Sequence, residues 1–161
     1  MPIHHSIDSE NALSVVTVSG SVTVEEAANF IKERQKADDD MGYPVLVDTR
    51  AADAHNDLLI TDMDLLARLA AETHRRNGGR KEAFVAEDEQ NAGLLSLFRK
   101  FSLNGHNQRV FAEIDEAIAW LKAALERNPD AASLRWLLAR AYLLDGNDFW
   151  ALYGRKAYHR Q

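Results

Sequence analysis

Two acidic groups carry most of the chemistry that this chain could offer. Asp48, Asp53, His55 and Asp57 form the first, and Glu87, Asp88 and Glu89 the second. Carboxylates gathered with an imidazole could hold a hard divalent ion through oxygen ligands. Acidic residues near helix N-termini also complement the positive end of the helix dipole and keep loops solvated. No fixed ligand spacing separates these accounts, so no metal ligand is assigned and no cofactor is expected. Leu58-Leu59-Ile60 and Thr61 lie between the two groups. The apolar segment could cover a sheet edge or line a pocket, and Thr61 offers a hydroxyl. The candidate ligand contacts are therefore Asp48, Asp53, His55, Asp57, Leu59, Thr61 and Asp88.

Nucleophilic and phosphate chemistry find no such foothold. The six histidines are scattered, at positions 4, 5, 55, 74, 106 and 159, and no H-E-x-x-H pair occurs. The sequence has no G-x-S-x-G elbow, no phosphate loop and no dinucleotide fingerprint. It has no cysteine, which excludes disulfides, thiol catalysis and cysteine-based zinc sites. No residue is named as catalytic, and the expectation is a protein that is not an enzyme.

The stretch that must position the first acidic group is Tyr43 to Arg50, YPVLVDTR. Pro44 opens it, Val45, Leu46 and Val47 form an apolar run, and helical patterns flank it. It reads as a central strand buried on both faces, with those three residues among the most buried in the chain. Asp48 then falls at the strand's carboxyl end, where open α/β sheets keep their crevices.

Around that strand the other elements follow in order. Ile3–Asp8 and Leu13–Ser19 read as a β-hairpin joined by the turn-forming Asp8-Ser-Glu-Asn11. Thr23-Val-Glu-Glu26 has capping-box spacing and opens a helix whose apolar face is Val24, Ala27, Ala28 and Ile31. Thr61 can cap a second helix, with Leu66, Leu69, Ala70 and Thr73 inward. Glu82–Ala86 is a fourth strand. A third helix carries Leu94, Leu97, Phe98 and Phe101, and a fifth strand surrounds Arg109 to Phe111. Asp115 opens a last helix with Ala117, Ile118, Leu121, Ala124 and Leu125 inward. The order ββαβαβαβα predicts an α/β fold, a five-stranded mixed sheet built from a hairpin and right-handed crossovers.

Composition narrows the partners. The 161 residues carry a formal charge of −6, unevenly shared: −8 over 1–127 and +2 over 128–161. A net-acidic body repels phosphate backbones, so nucleic acid is not an expected partner. No apolar run is long enough to span a bilayer, and the N-terminus has no signal-peptide pattern. With the absent cysteines, this predicts a cytoplasmic protein.

The element order, with VSGSVTVEE, VLVDTR, AFVAEDEQNAGLLSLF and RVFAEIDEAIAWL, resembles the small bacterial STAS-like (SpoIIAA-like) proteins over roughly residues 3–122. The resemblance implies a compact binding or regulatory module without catalytic apparatus. Relatives of that group include anti-sigma-factor antagonists, and CRAL-TRIO lipid-transfer domains share the broad fold. The antagonists carry Asp-Ser-Ser-Gly where the loop after the central strand meets the next helix. Here that junction reads Leu59-Ile60-Thr61-Asp62. Only Thr61 could stand in for the phosphorylated hydroxyl, and Asp62 would repel an added phosphate.

The last segment divides the chain into an α/β domain, 1–127, and a helical extension, 128–161. Ala117, Leu121, Ala124 and Pro129, then Leu138, Ala139, Tyr142, Gly146 and Ala151, are spaced similarly to a tetratricopeptide repeat. At most one and a half repeats fit, so the extension reads as a C-terminal helical hairpin with repeat-like packing. Trp136, Tyr142, Phe149, Trp150 and Tyr153 crowd into it. They could anchor an interface or fix the hairpin on its own domain. A two-fold partner would bury the surplus, which predicts a homodimer. The leading functional expectation is a non-enzymatic module working through protein contacts. The alternative is a small-molecule or lipid binder using the crevice after the central strand, and a metal-assisted enzyme comes third.

Overall fold

A computed structural model describes residues 2–37, 43–53, 60–77, 80–102 and 105–127. The helical extension, and with it Trp136, Tyr142, Phe149, Trp150 and Tyr153, lies outside the described residues. So do His55, Asp57 and Leu59.

The elements run β1 (Ile3–Asp8), β2 (Leu13–Gly20), α1 (Val24–Lys36), β3 (Val45–Ala52) and α2 (Ile60–Asn77). Next come β4 (Glu82–Val85), α3 (Glu89–Phe101), a short 3-10 turn (Gly105–Asn107), β5 (Gln108–Phe111) and α4 (Ile114–Arg127). This is the α/β order read from the sequence. The five strands form one mixed sheet in the order β1-β2-β3-β4-β5. β1 runs antiparallel to β2, and every later pairing is parallel.

Local chemistry explains the boundaries. Asp8 accepts hydrogen bonds from the backbone of Glu10 and Asn11 and from the Asn11 amide, closing the hairpin turn. Gly20, at φ +66°, ends β2 in the left-handed region that glycine enters without strain. Thr23 and Glu26 form the full capping box at the start of α1: Glu26 N–H donates to Thr23 Oγ1, and Thr23 N–H donates to Glu26 Oε2.

The two faces of the sheet differ. On one, α4 lies close, and Ala117 and Leu121 join Leu13, Leu46, Ala83, Val85 and Phe111 in a dry cluster. On the other, α1, α2 and α3 cover the sheet, and α2 buries Met63, Leu66, Ala67, Ala70 and Ala71. α1 buries no residue fully, although it is amphipathic. Its side chains overhang a hollow.

Three expectations are corrected. Leu46 is 3% exposed, as a core strand requires, but Val45 and Val47 are only half-buried because their face lines the hollow. β3 continues to Ala52, so Asp48 is mid-strand rather than at its end. Phe101, assigned to the core face of α3, is 41% exposed.

Candidate functional site

The hollow comprises two adjoining chambers along the strands. The first, about 210 Å³, lies over the N-terminal ends of the parallel strands; the second, about 160 Å³, lies toward their C-terminal ends. Both are lined by Val18, Val47 and Phe84 from the sheet and by Ala27, Ile31 and Phe98 from the helices. Strand alternation puts these sheet residues on one face. A register shift between β2 and β3 adds a residue to β3, pairing Thr17 with Asp48 but Ser19 with Ala51. This bulge lets Thr49 and Ala52, three positions apart, line the same chamber.

The chambers differ in polarity. In the second, the polar groups are engaged: Thr49 Oγ1 donates to Val85 O at 2.7 Å, and Asn91 Nδ2 donates to Ala52 O at 3.4 Å. The rest of its lining is apolar. The first chamber has a polar end formed by His5, Ser14, Arg34, Arg80 and Glu82. His5 Nε2 and Ser14 Oγ share a 2.7 Å hydrogen bond, and Arg80 Nη1 donates to Tyr43 O at 3.2 Å. The sheet register sets this row, because Ser14 pairs with Val45, Val45 with Glu82, and Glu82 with Gln108.

Glu82 retains some surface where it lines the chamber, while burial pushes its carboxyl up to about 7. The Arg80 charge and the Gln108 amide pull the other way. Gln108 is 1% exposed, and its amide nitrogen and oxygen lack hydrogen-bond partners of ordinary geometry among the described residues. Its pull on Glu82 is therefore that of a nearby dipole, not of a well-formed bond.

Among the described residues, Asp48, Asp53 and Asp88 hold structural posts, and none of the three lines either chamber. Asp48 accepts two hydrogen bonds from the Arg50 guanidinium, both at 2.9 Å, and a third from the Arg50 backbone. The guanidinium bonds hold its carboxyl below the ordinary range, against a smaller opposing effect of burial. Glu87 and Asp115 add their charges around Arg50. Asp53 receives the Ser21 hydroxyl at 2.9 Å and donates its N–H to Gly20 O, joining the loops after β2 and β3. Asp88 caps α3 by accepting from Asn91 N–H at 2.8 Å. Thr61 is exposed and sits within the first turn of α2, which begins at Ile60, so it is not the cap expected from the sequence. Among the described residues no three His, Asp or Glu side chains gather where they could hold a metal ion.

The residues that sequence reading passed over are Glu82, Arg80, Arg34 and Gln108. One signal was available: Glu82 shares a strand face with Phe84 in a strand covered on both sides. A charged residue there requires enclosed partners.

Fold and site together define a mixed α/β domain that is solid on one face of its sheet and hollow on the other. The chain belongs to the family described as Domain of unknown function (DUF7793), whose model matches residues 9–125. No curated protein and no solved structure matches the chain.

Proposed function

We propose that this domain is a non-enzymatic STAS-like module that takes a small, largely apolar molecule into the space between the sheet and α1–α3. The observation that carries this reading is the pair of adjoining chambers, about 210 and 160 Å³, with a mostly apolar lining. Ligand pockets occupy roughly 300–1,000 Å³, a range that the two chambers enter only as one site. Apolar cavities stay dry and accept apolar guests. The binding place thus shifts from the crevice beyond Asp48 to the sheet face beneath α1.

The protein-contact reading, with a homodimer formed through the extension, rests on the aromatic residues of 128–161. The exposed Leu65 (49%) and Phe101 (41%) add a smaller surface that a partner could cover. The cavity favours the ligand reading because it is mostly apolar, flanked by α1–α3 and continuous along the strands.

Thermal melts of the full chain with 1-dodecanol test the proposal. A guest bound only by the native state must raise the midpoint with the logarithm of its concentration above Kd, by about 2.7 kcal/mol of stability at a hundredfold excess. Ala27→Trp, which fills the junction of the chambers, is expected to abolish the rise. Melts unmoved by the alcohol and by sodium dodecanoate alike, or moved equally in Ala27→Trp, would overturn the reading.

A further inference from the structure

The two chambers lie end to end along the strands. On β3 the first is lined by Val45 and Val47, the second by Val47, Thr49 and Ala52. At about 3.3 Å per residue, Val45 to Ala52 covers roughly 23 Å, so the combined space is long and narrow. Its charged groups are confined to one end. Arg34, Arg80 and Glu82 line the first chamber with His5 and Ser14, whereas Thr49 and Asn91 in the second already bond to backbone carbonyls. Among the lining side chains, two guanidinium groups stand against one carboxyl. These side chains have partners inside the fold, so a guest's head would meet a preorganised polar group rather than one spare cation.

Resting on the ligand-binding reading above, we infer that the site selects a linear amphiphile with an anionic head, such as a long-chain carboxylate. Its head lies beside Arg34 and Arg80, and its tail runs past Phe84 toward Met63 and Leu94. With His5 Nε2 as the donor in the bond between them, the Ser14 hydroxyl is left to donate to the same head. A flat or branched guest would leave one chamber empty, and a cationic head would face two guanidinium groups.

Isothermal titration of the full chain with sodium dodecanoate, 1-dodecanol and dodecyltrimethylammonium separates these claims, because the three share one tail. Dodecanoate is expected to bind at least about tenfold tighter than either of the others, the effect of one charge-assisted contact. Arg34→Gln should weaken dodecanoate by about tenfold while shifting the alcohol by less than about twofold, and Arg34→Lys should recover much of the loss. Leu94→Trp, at the far end, should weaken dodecanoate but leave the shorter hexanoate within about twofold. Circular dichroism confirms that each variant is folded. Equal binding of acid and alcohol, indifference of dodecanoate to Arg34→Gln, or preference for the cation would overturn the head assignment while leaving the cavity reading intact. Failure of all three probes to bind would overturn the cavity reading itself.

Discussion

Glu82 is a largely enclosed carboxyl at the polar end of the first chamber, and its titration should be visible in the stability of the whole domain. Its value rises from 4.5 to about 7 on folding, so between those pH values the folded state keeps a proton that the unfolded chain releases. Stability is therefore greatest below the unfolded value and falls as pH rises through that window, by on the order of 3 kcal/mol. Glu82→Gln removes this contribution. Urea denaturation is expected to show the wild type losing stability from pH 5 to pH 8, with a much flatter profile in the variant. Asp48 behaves oppositely, since Arg50 lowers its carboxyl and its contribution is lost only as pH falls through the acidic range. The neighbours Leu46 and Val47 make a second comparison. Leu46 sits in the dry cluster and Val47 borders the hollow. Leu46→Ala should cost about 2–5 kcal/mol and Val47→Ala only about 1 kcal/mol, because Val47 has fewer neighbours to lose. Equal costs in chemical denaturation would mean that the hollow is filled in the free protein.

Among the elements, α1 depends most on its own ends. It buries no residue fully, and its capping box and the Gln35 amide, which donates to Leu69 O at 2.6 Å, tie it in place. Thr23→Ala should cost about 1 kcal/mol in a thermal melt, the usual value of a lost N-cap. Much of this architecture was legible in the sequence, because punctuation and period are local properties. Gly20, the Thr23–Glu26 box, Pro44 and the acidic residues before α3 mark where elements begin and end. The alternation of Leu13 and Val15 with Val16 and Val18 assigns the two faces of β2. The hollow was not legible. Alternation says which face a side chain occupies, but not how far the opposing helix stands away. Val45, Leu46 and Val47 look alike as letters, and only the separation of α1 from the sheet makes them differ. The polar end was hidden for a related reason. Ser14, Glu82 and Gln108 are far apart in sequence and become neighbours through strand register alone. The rule that places sites at the carboxyl ends of parallel strands directed attention to Asp48 and the loop beyond it, away from Glu82 at the strands' N-terminal ends.

For the whole molecule, the unequal faces predict unequal dynamics. The α4 side holds side chains such as Leu13, Ala117 and Leu121 that are fully buried, whereas the α1 side spans a void. Hydrogen exchange should therefore find α4 amides opening only with global unfolding and α1 amides exchanging sooner through a local opening. A bound guest should slow α1 selectively, and uniform protection of both helices in the free protein would contradict this division. The same asymmetry makes hydrostatic pressure an informative variable. Unfolding eliminates internal voids, so the chambers beneath α1 add to the decrease in volume that pressure favours. Compression should unfold this domain more readily than heat stability alone would suggest. Filling the space with a guest or with Ala27→Leu should make the volume change smaller, even where the thermal midpoint hardly moves.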